Sequence, residues 1–268
     1  MEKKRIMVLV VILCTLFSAA TLLFPPAPLE AAEIESYGYG GISLGAFWLD
    51  VSDLNRTLSD NGFATFKKPA YSLGFESYYA FNGRVLFGGE LQFFWQEATN
   101  TAYVQKLNSY SGFINAGYSF FSRSPQGFHL YPLVGLGVSR MGLRLTERSV
   151  LDFSNIVSDP GRESSLRKWD FLIQTALGLD YTIGFKRSRN DTEGGVLIGI
   201  RVGYVYSVTD SQWKMSELDV SGAPGVSMSG FYVHFVIGGL SGVFSHDDRE
   251  DEWEDRDTAG ILKPHKEK

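Results

Sequence analysis

Beyond residue 35 the chain contains no apolar run long enough for a membrane helix, but it contains eight segments in which bulky apolar residues alternate with small or polar ones. The clearest is 169–183. Trp169, Phe171, Ile173, Thr175, Leu177, Leu179, Tyr181 and Ile183 take one phase, and Asp170, Leu172, Gln174, Ala176, Gly178, Asp180 and Thr182 the other. In 85–96, Val85, Phe87, Gly89, Leu91, Phe93 and Trp95 alternate with Leu86, Gly88, Glu90, Gln92, Phe94 and Gln96. Segments 71–81 and 196–208 repeat the pattern, with Ser72, Gly74 and Glu76 opposite Tyr71, Leu73 and Phe75, and Gly199, Arg201 and Gly203 opposite Ile198, Ile200 and Val202. Residues 36–49, 107–121, 129–145 and 229–244 are weaker members of the set. A period of two predicts β-strands with two different faces.

The second face decides which environment meets the first. A soluble β-sandwich turns its apolar face inward and exposes a face rich in Lys, Glu and Thr. Here the second face is mostly Gly, Ser and Ala with single charges. Small residues with a few charges suit a narrow, crowded interior, and large apolar residues suit a lipid-facing exterior. The expected architecture is therefore all-β: a closed, antiparallel, up-and-down transmembrane barrel of eight strands over 33–244. A soluble sandwich is the rival.

Connection lengths point the same way. Asn82-Gly83 is a tight-turn signal, and 122–128 and 185–195 are fairly short, whereas 50–68, 97–106, 146–168 and 209–228 are mostly longer and polar. Short turns at one rim and long loops at the other are the outer-membrane arrangement, with the turns periplasmic and the loops extracellular. Aromatic residues collect near both ends of the apolar face. Trp48, Tyr71, Trp95, Tyr110, Trp169, Tyr206 and Phe231 fall at the long-loop end, and Phe81, Tyr118 and Tyr181 at the short-turn end. That is the girdle expected where lipid meets water. Three positions weaken the pattern: Pro132 removes a ladder donor, the phase slips near Arg140, and Gly238-Gly239 blurs the last segment.

On these features the chain to residue 244 resembles the small OmpA/OmpX-type outer-membrane barrels. The resemblance is one of pattern rather than of a diagnostic motif. It implies a structural, adhesive or surface-protective role, and a C-terminal aromatic for the assembly machinery, for which Phe244 is the candidate. The chain departs from that family in the tail that follows Phe244.

The ends add an address. Met-Glu-Lys-Lys-Arg precedes an apolar stretch from Ile6 to Phe24, then prolines and Ala31-Ala32. This reads as a secretory signal over 1–32, cleaved after Ala31 or Ala32, and implies the outer membrane of a Gram-negative (diderm) bacterium. An uncleaved inner-membrane anchor holding a periplasmic β-protein is the alternative. Residues 245–268 hold a dense run of charges and are expected to form a disordered acidic periplasmic tail.

Composition removes several function classes. The net charge is −5, so no nucleic-acid partner is expected. The single cysteine, Cys14, lies in the apolar leader, so the mature chain would hold no disulfide or thiolate metal site. No catalytic, metal or cofactor site is expected. Expected partners are outer-membrane lipid (lipopolysaccharide and phospholipid) and the barrel-assembly machinery, with the protein a monomer. On the inward phase Glu76, Glu90, Gln92, Gln174, Asp180, Arg201 and His234 form an expected interior polar network. Arg201 should lie among carboxylates, with Glu90 and Glu76 as candidate partners. The leading functional expectation is a non-enzymatic integral barrel with a structural or surface-interaction role. A lipid A-modifying enzyme and a narrow pore or carrier for small molecules are its rivals. For an enzyme, His129 and His234 are the candidate bases, and neither has a serine and an acid at a telling spacing in sequence.

Overall fold

The computed structural model describes residues 36–120, 127–148, 163–186, 192–209 and 211–243. The signal segment 1–32, the tail 245–268, Phe244 and, within the links, residues 122–126, 149–162 and 187–191 lie outside the described residues. Among the described residues, eight long strands pair in one antiparallel cycle: β1 (Ser36–Asp50), β2 (Ala70–Phe81), β3 (Val85–Thr99), β4 (Tyr103–Tyr118), β5 (Gly127–Glu147), β6 (Glu163–Lys186), β7 (Thr192–Ser207) and, after a small hairpin of β8 (Lys214–Met215) and β9 (Leu218–Asp219), β10 (Ser227–Val243). Each strand pairs with its neighbours in sequence and β10 closes onto β1, so no barrel edge is left unpaired. No described helix is long and apolar enough to cross a membrane; strands make the crossing.

The stagger of the cycle follows from its register. Directly opposed partners run from Tyr37 through Ala80, Leu86, Gly117, Leu133, Ala176, Gly203 and Tyr232 and return to β1 at Phe47, ten residues beyond the start. Ten residues of stagger over eight strands tilts them by roughly 40°. Each residue then climbs only ~2.5 Å along the barrel axis.

Phe75, Leu91, Leu177 and Ile200 all face outward, and residues such as Leu136 (67% exposed) and Ile114 (64%) show how bare that wall is. An apolar belt of this extent has no counterpart on soluble monomers and matches the hydrocarbon band of a membrane barrel. The predicted aromatics face outward at the band's two ends. From the tilt and rise, Trp48, Tyr71, Trp95, Tyr110, Tyr206 and Phe231 fall within ~5 Å of one height, and Phe81 and Tyr181 lie roughly 22–24 Å below. Trp169 stands a few ångströms higher and Tyr118 a few higher than its own ring. Trp48 packs on Phe231 at 5.6 Å and Phe93 on Tyr110 at 5.5 Å between ring centroids.

Several sequence expectations need correction. Segment 97–106 is not a longer loop: β3 and β4 extend to Thr99 and Tyr103 and meet in a three-residue turn, where the Asn100 side chain accepts from the amides of Ala102 and Tyr103. There is no phase slip at Arg140, because the β4–β5 register runs unbroken from Tyr103↔Glu147 to Gly117↔Leu133. Arg140 and Arg144 still point outward and Met141 and Leu143 inward. What changes there is the environment: above the girdle the outside is water and the inside is dry. The glycines of the last strand do not blur it either, since Gly238 and Gly239 oppose Gly41 and Gly40 in continuous register. That seam requires glycine, as a Cβ on Gly238 would overlap the Gly40 carbonyl oxygen. Pro132 sits where the β4–β5 ladder stops, at Leu133, so its missing donor leaves little unpaired. Asn82 and Gly83 both have positive φ (50° and 62°), the backbone that an Asn-Gly turn requires.

Above the girdle the barrel carries a second core. Helix α1 (Ser52–Asp60) starts where Asp50 accepts from the Ser52 amide and hydroxyl, carries Asp53 in its first turn, and ends before Gly62 at φ 76°. Its Leu54 and Leu58, four residues apart, are buried in one apolar cluster with Leu107, Met141, Leu143 and Leu172. Asn55 fastens the return loop, donating to the Phe66 carbonyl (2.9 Å) and accepting from its amide (2.8 Å). Trp213 closes the other side and donates to the Pro224 carbonyl at 3.1 Å.

Candidate functional site

The inward phase of the strands fills the lumen with side chains in three layers. Tyr37, Tyr39, Tyr78, Leu86, Leu197 and Leu240 pack the short-turn end. The crown core seals the long-loop end. Between them lies the polar network, formed because the lumen-facing positions of a narrow barrel must be both small and hydrogen-bonded.

Arg201 is its centre and is almost fully buried. It forms a two-pronged ion pair with Asp180 on the adjacent strand, the second prong measuring 3.1 Å from Nη2 to Oδ2. From across the lumen Glu76 accepts from Nη2 at 2.6 Å. Tyr131 donates to Asp180 Oδ2 at 2.5 Å, and the guanidinium lies 5.0 Å over the Tyr131 ring. Gly199 makes the arrangement possible, because a Cβ there would overlap Asp180 Oδ1. A planar fork suits two carboxylates better than an ammonium does. Glu90, expected as a partner of Arg201, is not one. It is held by amides instead: Gln92 at 2.7 Å, Gln174 at 3.0 Å and Asn115 at 3.3 Å. Gln174 also donates to the Tyr232 hydroxyl at 2.5 Å. Thus Glu76, Asp180 and Arg201 form one cluster, and Glu90, Gln92 and Gln174 a second.

His234 departs further from expectation. The Ser72 hydroxyl lies 2.8 Å from its Nε2, and Glu90 Oε1 lies 3.9 Å from its Nδ1. A serine, a histidine and a carboxylate, unremarkable in sequence, are therefore brought together by three strands. Their setting differs from that of a catalytic triad. His234 is fully buried, Ser72 nearly so, and the Glu90 contact exceeds hydrogen-bond reach. The space a substrate would need is taken by packed rings: Phe94 stands directly opposite Ser72 in the β2–β3 register, and Tyr232 lies 4.7 Å from the His234 ring. His129 is buried at the short-turn end with Thr182 Oγ1 3.3 Å from its Nε2. The cavity beside it, lined by Tyr37, His129, Tyr131 and Asp180 among others, measures about 10 Å³, room for about one water molecule. No group of three or more His, Cys, Asp or Glu among the described residues could hold a metal ion.

Sequence reading missed three inward groups. Asn115, Tyr131 and Tyr232 lie on the inward phase of their strands, and parity alone would have found them. The buried pair of Lys168 and Asp170, 3.3 Å apart beneath Trp213, is less legible, since a lysine beside the crown reads as a solvated loop residue.

A closed eight-stranded antiparallel barrel with an apolar belt, paired girdles and a lumen filled by its own side chains defines a small β-barrel of the outer-membrane type. No protein-family model matches the chain, and no curated protein sequence matches it. Among solved structures it is similar to Neisserial surface protein A (14% identity, 78% of this chain and 97% of that one, TM-score 0.35). It is also similar to Ail, the attachment invasion locus protein of Yersinia pestis (16%, 80% and 100%, TM-score 0.34). A third is the outer membrane protein OprG from Pseudomonas aeruginosa (16%, 78% and 95%, TM-score 0.35). At these identities the likeness extends to the fold and no further.

Proposed function

We propose that the chain is a non-enzymatic integral outer-membrane protein whose barrel anchors a folded crown at the cell surface, where the crown serves structure or interaction. In this reading the long-loop end faces outward, both barrel termini face the periplasm, residues 1–32 are removed on export, and the barrel-assembly machinery inserts a monomer. The observation that carries it is the filled lumen: among the described residues an ion-paired, buried arginine occupies mid-height and an apolar core lies above it. A barrel of eight strands is only wide enough for its own side chains. Refolded protein in planar bilayers is expected to give no discrete conductance steps. A steady unitary conductance would overturn the anchoring reading in favour of a pore.

A second reading, a lipid-hydrolysing enzyme, is raised by the Ser72–His234 contact. Its burial weighs against it, because Ser72 points into the lumen and away from lipid. Ser72→Ala is expected to leave the lipid A species of intact cells unchanged by mass spectrometry, and an altered acylation pattern would revive the enzyme.

A further inference from the structure

Two features of the outer wall meet on β4, β5 and β6, and neither is needed to close or fill the barrel. The first is a groove of about 710 Å³ in the apolar belt, walled by Phe75, Leu91, Ile114, Leu136, Val138 and Phe171. Its floor is low because Gly89 and Gly112 stand on the outward phase among these large residues. A Cβ at Gly112 would meet only the Leu91 side chain, at 3.5 Å, so close packing does not demand a glycine there.

The second is a polar recess of about 470 Å³ immediately above, lined by Arg140, Arg144, Arg167, Asn108, Tyr110 and Ser165 among others. Three arginines and no carboxylate line it. No carboxylate among the described residues pairs with Arg140, which lies 5.9 Å over the Trp169 ring. Arg144 and Arg167 contact Glu163 and Glu217, in side chains at least a third exposed. Exposed pairs of this kind are weak and easily exchanged for a better anion.

The register joins the two. Tyr110, Arg140 and Trp169 form one cross-strand row within the girdle, Gly112, Val138 and Phe171 the row two residues below, and Asn108, Gly142 and Arg167 the row two above. By tilt and rise the groove spans the upper ~15 Å of the apolar belt, and the arginines stand roughly 3–12 Å above it.

We propose that this face of β4, β5 and β6 is a binding site for a phosphorylated, acylated lipid of the outward leaflet, with arginines on its phosphate and an acyl chain over Gly112. Guanidinium forks match phosphate oxygens in charge and geometry, and the girdle places them at headgroup depth. An anion alone would have no use for the groove, and a neutral lipid none for the arginines. The proposal rests on the outward orientation of the long-loop end.

The test uses full-length protein refolded in detergent, with native mass spectrometry and titration reading lipid A binding. Wild type is expected to retain lipid A, to bind the dephosphorylated form at least about tenfold more weakly, and to keep lipid A in millimolar inorganic phosphate. The triple variant Arg140→Ala/Arg144→Ala/Arg167→Ala should lose about tenfold or more, and Gly112→Phe should weaken binding by filling the groove. Ile237→Phe, on the opposite wall, should not. Heat-modifiable gel migration and insertion into phosphatidylcholine vesicles confirm that each variant is folded. Wild-type affinity in either site variant, equal binding of the dephosphorylated lipid, or displacement by inorganic phosphate would overturn the site while leaving the membrane reading intact. Failure of the wild type to insert into phosphatidylcholine vesicles would instead remove both.

Discussion

The lower and upper parts of the same strands are built inside out with respect to each other. Within the belt, β5 turns Val134, Leu136 and Val138 outward and keeps Gly135 and Ser139 inside; above it, the outward residues are Arg140 and Arg144 and the inward ones Met141 and Leu143. Neighbouring β4 does the same, with Ile114 outside and Asn115 inside below, and Lys106 outside and Leu107 inside above. Parity never changes along these strands; the surroundings do. In the belt the outside is hydrocarbon, so the polar side chains sit in the lumen, between apolar layers, and must satisfy one another. In the crown the outside is water, so ordinary soluble-protein burial takes over and recruits α1 and Trp213.

The contrast makes graded predictions. The largest effect is expected for Arg201→Ala, which leaves Glu76 and Asp180 as uncompensated buried charges at mid-height. About 3–5 kcal/mol of stability should be lost, measured as a shift of the urea unfolding midpoint in vesicles. A variant that keeps the wild-type midpoint would mean the lumen is wetter than described. Charge on the outer wall should then depend on height alone. Leu177→Arg, near mid-belt, should cost about 2–4 kcal/mol, whereas Arg144→Leu in the crown should change stability by less than about 0.5 kcal/mol. Equal effects would deny that the two zones meet different solvents. The smallest global effect is expected for Leu54→Ala. A loss of about 2 kcal/mol confined to the crown should speed proteolysis of 52–69 while leaving the heat-modifiable gel shift of the barrel in place. Loss of that shift would show that crown and barrel unfold as one.

The inversion also explains where sequence reading faltered. Around Arg140 a polar residue on the apolar phase mimics a register slip, because the environment outside the strand changes there while its parity does not. The 97–106 stretch resembles a loop in sequence for the same reason, since strands leaving the belt lose their apolar outer face and look like polar connections. Helix α1 carries only Leu54 and Leu58 toward the core, too few apolar positions for a periodic signal to stand out.

Alternation is a local property, so the chain by itself determined the strands, their two faces, the Asn82-Gly83 turn and the outward aromatics at both ends of the belt. Partnership across the lumen is not local. It depends on the ten-residue stagger, which sets the heights at which residues of different strands meet. Only the closed barrel could bring Glu76 to Arg201 from the far wall and lay Ser72 against His234 from 162 positions away.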